Sequence, residues 1–388
     1  MAKILLVTNL WTSTIGGAER YVFQIASFLQ SSDRSNKILI GVRTRDQSTF
    51  EYLSSKATKF LPDVEILQLG HPTEPFASAK ITAQSIASIK PDIIHLNFPD
   101  HRFTAHFLFP IKKTRIPIVF TQHIFPSFSA KGILGRKHML KMAALAGTHA
   151  IAITKYNQRY INKYYWLSRL HIHSIYYGID HQRFSPIPEK GKKILRKKLD
   201  LPVDKVIITQ LARLADAHKN QSTSIRSLSF LDRPLLENIN LLLVGEGESK
   251  SKLVSLVKAL HLKKYVNFLG EVNSPEKILQ ASDIFLLPSH VEGLPYAVLE
   301  AMGCGLPCIT SKLPGMIEAL EDGKCGIILP STTPQDIAKA IQELISNPKK
   351  RTSLGNKARA RVEKAFSEEM MRTKTLALYS QILGTKQK

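Results

Sequence analysis

Short apolar runs rich in Val and Ile recur along this chain, each followed by a helical pattern, and that alternation excludes most folds. In the first half the runs are Ile4–Val7, Ile38–Val42, Val64–Leu67, Ile93–Leu96, Ile118–Thr121, Ala150–Ile153 and His173–Ile175. Amphipathic stretches such as Ala18–Gln30 and Ala79–Ile89 lie between them. Continuous apolar runs of this length fit strands buried on both faces, and so a parallel sheet covered by helices. A polar, basic, Pro-containing stretch, Ser185–Lys198, reads as a linker. The alternation then restarts with Val206–Gln210, Leu241–Val244, Val266–Leu269, Ile284–Leu287, Cys308–Thr310 and Gly326–Leu329. Helices are expected at about Lys250–Leu260, Pro275–Ala281, Ala297–Met302, Pro334–Ser346 and Lys349–Phe366, with Pro202, Pro275 and Pro334 at or just before helix starts. At 388 residues the chain exceeds what one hydrophobic core usually spans. Two tandem doubly wound α/β domains follow, residues 1–183 and 184–367, with a C-terminal helix at about 368–388 packing back on the first. Such sheets bind ligands outside the carboxyl ends of their strands, where the strand order reverses. With two of them, the cleft between is the default site.

The composition, 44% apolar and 22% charged, is ordinary for a globular protein. The three cysteines, Cys304, Cys308 and Cys325, sit in apolar or Gly-rich surroundings and indicate a reducing compartment. No Cys/His pair of suitable spacing accompanies Cys304 and Cys308, so no metal is expected there. No run of apolar residues is long enough to span a bilayer, and KILLVTNL reads as a first buried strand. A cytoplasmic protein is expected, or one peripheral on the inner face of the cytoplasmic membrane. The net charge is +23, and between Asp100 and Asp180 there is no acid, only 12 Lys/Arg and seven His. Such a field attracts anions, whether a phospholipid surface, a phosphorylated acceptor or nucleic acid, and a solvated basic face is the plainer alternative.

Three loops at strand ends suit an anionic ligand. Gly16–Gly17 precedes a helix, where paired glycines permit close backbone approach and the helix N-terminus favours phosphate; a plain loop would look the same. In LARLADAHKN, Arg213 and Lys219 lie six apart in a loop after a strand. A guanidinium fork and an ammonium point charge suit a diphosphate, though two solvated bases would look similar. In HVEGLPYAVLEAMGCGLP, Glu292 lies in a Gly/Pro loop and Glu300 in the following helix. Carboxylates accept paired hydrogen bonds from vicinal hydroxyls, as in a sugar or a ribose, and the N–H groups of the helix start near Leu294–Val298 suit a diphosphate.

The segment SDIFLLPSHVEGLPYAVLEAMGCGLPCITSKLPGMIEAL resembles the donor-binding region of the family 4 retaining glycosyltransferases of GT-B fold, two Rossmann-like domains facing across a cleft. GGAER at 16–20, VFTQH at 119–123, YYGIDHQRF at 176–184, LVGEGE at 243–248 and VNFLGEV at 266–272 match further family segments in order. The resemblance covers nearly the whole chain. It implies that Gly16 and Gly17 approach the donor phosphates and that His123 contacts the transferred sugar or its phosphate. It implies that Arg213 and Lys219 neutralise the departing diphosphate. Glu292, with the backbone of Gly293 and Leu294, would hold sugar hydroxyls, Glu300 the ribose, and the backbone at Val272 the base. Two departures stand out. The Arg-to-Lys spacing is commonly five with a Gly before the Arg, where this chain has six and Ala212. The hinge segment commonly carries Asn where this chain has Tyr177, read as a change of little chemical effect.

No D-x-D triplet occurs, so no metal on the diphosphate is expected. The resemblance implies retention by attack on the face from which the nucleotide leaves, without cofactors beyond the nucleotide-sugar donor. A glycan or lipid-linked acceptor is expected, as in cell-envelope polysaccharide or lipopolysaccharide-type biosynthesis. The basic 101–179 region would dock on anionic membrane. There SAKGILGRKHMLKMAALAG mixes Lys131, Arg136, Lys137 and Lys141 with apolar residues, and KYNQRYINKYYWLSRLHIH interleaves aromatics with bases. Rival readings are a nicotinamide-dependent dehydrogenase using Gly245-x-Gly247 and Glu271, a sugar-nucleotide epimerase of the same fold, and a nucleic-acid binder suggested only by charge. Nucleic acid is not expected, because no binding module accompanies the charge.

Overall fold

The computed structural model describes residues 2–10, 16–44, 47–69, 83–98, 111, 114–123, 148–165 and 171–384. They form two compact units, one of residues 1–177 with 369–388, the other of 178–368. The boundary at Tyr177/Gly178 assigns residues 178–183 to the second unit.

The first unit is a seven-stranded parallel sheet ordered β3-β2-β1-β4-β5-β6-β7. Its strands are β1 Lys3–Leu10, β2 Lys37–Thr44, β3 Glu65–Gln68, β4 Ile93–Phe98, β5 Ile118–Gln122, β6 His149–Ala152 and β7 His171–Ser174. The second unit is a six-stranded parallel sheet ordered β10-β9-β8-β11-β12-β13. Its strands are β8 Val206–Leu211, β9 Ile239–Val244, β10 Val266–Gly270, β11 Ile284–Leu287, β12 Cys308–Thr310 and β13 Gly326–Ile328. In each sheet the strand order reverses beside the first strand, at β1/β4 and at β8/β11.

Burial explains why these runs read as continuous hydrophobics. Side chains alternate across a strand, so a strand covered on both sides needs apolar residues throughout. In the second unit Ile208, Leu241, Leu243, Ile284 and Leu286 join one core cluster. Their neighbours Ile207, Leu242 and Val244 join another with Leu201, Ile278 and Ala281. In the first unit Leu5, Val7, Leu39, Ile94, Leu96, Ile118 and Phe120 form a core with Ile161.

The Ser185–Lys198 stretch is only partly a linker. Glu189–Lys198 is a helix fastened to the second sheet. Arg196 is buried at 3% exposure. Its guanidinium donates to the carbonyls of Ala281 (2.8 Å), Val203 (3.1 Å) and Lys205 (3.0 Å) and to the Asp283 carboxylate (2.5 Å). Asp283 also accepts from the Ile207 N–H at 2.8 Å, tying the helix to β8. A basic composition hid one buried arginine on the inner face.

The chain leaves and re-enters the second unit side by side. Ile179 and Ser367 form a parallel bridge, and a Cβ on Gly178 would stand 2.5 Å from the Ser367 carbonyl oxygen. Of the expected Ala79–Ile89 helix, residues 83–89 are helical and 79–82 lie outside the described residues. The Lys131–Lys141 segment lies outside them too. Among the described residues no helix is long and apolar enough to cross a membrane.

Candidate active site

In the second unit the loops leaving β8 and β11, the two strands at the reversal, are fastened to each other. Lys219 on the first donates to Glu292 on the second, and the pair is mostly buried, with side-chain exposures of 23% and 11%. The Glu292 carboxylate also accepts from Ser289 Oγ at 3.1 Å. Ser289 is itself held from the end of β12, where Ser311 Oγ donates to its carbonyl at 2.6 Å. The His290 N–H donates to the His218 carbonyl at 2.8 Å. Asn220 Nδ2 donates to the Pro288 carbonyl at 3.2 Å. Asn220 has φ 57° and ψ 40°, a left-handed conformation Asn tolerates better than most residues. It joins a four-residue helical turn, Asp216–Lys219, to the helix Gln221–Ser227. That turn accommodates the longer Arg-to-Lys spacing.

Arg213 sits at the β8 end of the same loop. Its carbonyl accepts from Gln221 Nε2 at 2.8 Å, which pins the backbone. Its guanidinium is half-buried and has no ion-pair partner among the described residues. Lys219 is already neutralised by Glu292, so Arg213 is the uncompensated cation of the loop.

The glycines of Gly245-x-Gly247 serve this loop. A Cβ on Gly245 would lie 2.3 Å from the Ala212 carbonyl oxygen, and one on Gly247 would lie 2.5 Å from that of Leu214. The β9 turn therefore packs directly against the backbone flanking Arg213. This close packing explains the glycine pair without a bound dinucleotide.

Glu292, Gly293 and Leu294 lie just before the helix Tyr296–Gly303, whose N-terminus has no side-chain cap. Gly315, in the helix Pro314–Ala319, has no room for a side chain, because its Cβ would fall 1.6 Å from the Gly293 carbonyl oxygen. Glu300 lies in the helix Tyr296–Gly303 at 2% exposure, and its negative charge helps to raise the pKa of the buried Cys304 thiol, after burial itself. Val272 lies just beyond β10 and packs on the Leu201–Val244 core. All three cysteines are free and buried. Among the described residues no group of three or more His, Cys, Asp or Glu is arranged to hold a metal.

The first unit holds the remaining expected residues. Gly16 and Gly17 are exposed at the start of the helix Gly17–Ser32. The Glu19 carboxylate turns back to accept from the Gly16 N–H at 2.9 Å, so the positive helix end already faces an internal anion. His123, directly after β5, is buried at 4% exposure, and burial pushes its pKa down to about 3. Its Nδ1 is hydrogen-bonded to the Tyr177 hydroxyl. Tyr177, read from the hinge segment as a change of little chemical effect, therefore has a direct partner in His123.

Ser289, Ser311, Asn220 and Gly315 were not singled out by sequence. Their roles rest on contacts between segments, and only the Pro-Gly start of the helix at Pro314 offered a local signal.

Comparison with known proteins adds to this geometry. The family model for Glycosyltransferase Family 4 matches residues 15–183, and that for Glycosyl transferases group 1 matches residues 191–361. N-acetyl-alpha-D-glucosaminyl L-malate synthase of Bacillus anthracis is 32% identical over 143 residues, 37% of this chain and 38% of that protein. UDP-Gal:alpha-D-GlcNAc-diphosphoundecaprenol alpha-1,3-galactosyltransferase of Escherichia coli is 31% identical over 202 residues, 51% of this chain and 52% of that protein. The chain thus spans about half or less of the length of these relatives. The crystal structure of Anabaena HepE in complex with UDP matches the fold with a TM-score of 0.76 at 20% identity, covering 98% of this chain and 100% of that one.

Proposed function

Because this chain belongs to the family 4 glycosyltransferases of GT-B fold, we propose that it moves a sugar from a nucleoside-diphosphate sugar to an acceptor hydroxyl, with the donor diphosphate at the β8/β11 reversal. The observation that carries this reading is the charge arrangement there. Arg213 has no ion-pair partner among the described residues, and Lys219 stands on the same loop, held by Glu292. When the bond from the anomeric carbon to the diphosphate breaks, the leaving oxygen takes the electron pair. Fixed positive charge beside it lowers the barrier. Arg213 supplies that charge directly, and Lys219 supplies it to the extent that Glu292 turns to the sugar.

In this reading Glu292, Gly293 and Leu294 hold sugar hydroxyls, Glu300 the ribose, and the backbone at Val272 the base. His123 contacts the transferred sugar. The Glu292 carboxylate is engaged by Lys219 and Ser289, which suits a group that orients hydroxyls better than one that attacks carbon. Transfer is proposed to proceed with retention by same-face attack, as the family resemblance implies, and without a metal on the diphosphate, because side chains provide the charge. Full turnover in the presence of a chelator is expected, and its abolition would overturn the metal-free claim.

The acceptor is proposed to be a glycan or a lipid-linked glycan of the cell envelope. The Escherichia coli relative, named for a diphosphoundecaprenol substrate, and the acid-free basic window of the first unit support this. Co-sedimentation with anionic but not neutral liposomes is the expected companion result. The test of the function itself is a thermal-shift panel of nucleoside diphosphates and nucleotide sugars. A ligand that binds only the folded state raises its apparent stability. One nucleoside diphosphate and its sugar conjugate should raise Tm, and stabilisation by dinucleotide alone would sink the reading.

A further inference from the structure

His123 and Tyr177 form a closed aromatic corner in the first unit. Their ring centroids are 5.9 Å apart. Tyr21, from the helix Gly17–Ser32, packs on both, at 5.1 Å from His123 and 5.3 Å from Tyr177. All three side chains are buried. His123 is therefore a neutral imidazole, with one nitrogen carrying the proton and the other a lone pair. The role of one nitrogen fixes the role of the other.

Nearby His95 provides an internal contrast. Its Nδ1 meets the Tyr379 hydroxyl at 2.6 Å and its Nε2 meets Thr121 Oγ1 at 2.7 Å, so both nitrogens are satisfied. Among the described residues His123 has one hydrogen-bond partner. Nδ1 is bonded to the Tyr177 hydroxyl, whereas Nε2 is buried with no partner among the described residues. A phenol is the better proton donor of the two groups and an imidazole nitrogen the better acceptor. Tyr177 accordingly donates to Nδ1, which leaves the imidazole proton on Nε2. A buried, unpaired N–H carries a desolvation cost that an incoming oxygen acceptor would remove.

We propose that Tyr177 is a positioning residue that holds His123 in its Nε2–H tautomer, so that the ring presents a hydrogen-bond donor to an oxygen of the transferred sugar. The proposal rests on the reading above that His123 contacts that sugar. Tyr177 is also the last residue of the first unit, so the tautomer is set by the side chain that begins the passage between units.

The test combines histidine-selective 15N NMR at neutral pH with ligand binding, on the full chain. Loss of one signal in His123→Gln assigns the His123 ring. The wild type should show Nε2 protonated and Nδ1 bare. Tyr177→Phe keeps the ring packing and removes only the hydroxyl, and it should shift His123 toward the other tautomer. For binding, UDP with UDP-glucose and GDP with GDP-mannose serve as probe pairs. With the pair that binds, Tyr177→Phe should weaken the nucleotide sugar by up to about tenfold, the scale of one lost hydrogen bond, and leave the nucleoside diphosphate unchanged. A wild-type ring protonated on Nδ1, or on both nitrogens, overturns the proposal even if the variant fails to fold. An unchanged tautomer in Tyr177→Phe overturns it as well, whatever happens to binding. If His123→Gln leaves the preference for nucleotide sugar over nucleoside diphosphate intact, the sugar-contact reading fails separately.

Discussion

Arg213 and Glu292 make different demands on the same ligand, and substitutions should separate them. Arg213 has no ion-pair partner among the described residues to lose, so Arg213→Ala should leave the unfolding free energy within about 0.5 kcal/mol of wild type, as for a site away from packing. Transfer should fall by ~100-fold or more, the usual cost of removing one preorganised charge-stabilising group. Wild-type turnover in Arg213→Ala would end the leaving-group assignment. Glu292→Gln should act differently. It keeps the shape but removes the charge that engages Lys219, so affinity for the nucleoside diphosphate should hold or rise while affinity for the nucleotide sugar falls. Calorimetric titration of both ligands checks this. At this scale the sequence was informative because charged residues in strand-end loops have few structural reasons to be there. It read Tyr177 as a change of little chemical effect, because its partner lies 54 positions away, and it was silent on Ser289 and Ser311, which look like any loop serines until the chain folds.

At the scale of elements, the inner strands among the described residues were legible because a strand buried on both faces must be apolar along its length, while the edge strands Glu65–Gln68 and His171–Ser174 are only partly buried. Ends moved by one to three residues, where polar residues such as Lys3 and Asn97 extend the ladders. The helix Glu189–Lys198 was not legible, since composition averages over faces. One buried residue among many exposed bases decides it. Arg196→Ala should cost roughly 1–3 kcal/mol, because it leaves the carbonyls of Ala281, Val203 and Lys205 without their donor while Asp283 keeps Lys192 as an ion-pair partner, and a fall in the denaturant midpoint of the second unit measures it. Gly315→Ala tests how one element positions another. The new methyl would meet the Gly293 carbonyl oxygen, so the helix start and the Glu292 loop must part. A loss of nucleotide-sugar affinity with the sheet still folded is expected, read by titration together with circular dichroism.

For the whole molecule, buried histidines of the first unit make stability depend on pH. Burial pushes His95 and His123, both in the first unit, down to about 3. Unfolded, they would titrate near 6.5. Below that pH the unfolded chain takes up protons that the folded chain refuses, so stability is full above pH 6.5 and declines as pH falls toward about 3. Each histidine contributes at most about 1.4 kcal/mol per pH unit in that window. The melting temperature should drop between pH 7 and pH 5, and His95→Gln should flatten that slope. An equal slope in the variant would remove His95 as a cause of it. The overall plan of two doubly wound units was readable because the alternation stops and restarts. The membership of the C-terminal helix was harder to read, since it depends on contacts such as that of Tyr379 with His95 across most of the chain's length.

The central claim is that the loops at the β8/β11 reversal bind the diphosphate of a nucleotide sugar through Arg213 and Lys219. Isothermal titration of the wild type and Arg213→Ala with UDP and GDP tests it most directly. The expected result is saturable binding of one of them to the wild type, weakened at least tenfold in the variant as for a lost charge-assisted contact. Equal affinity in both proteins, or binding of neither nucleotide, would contradict it.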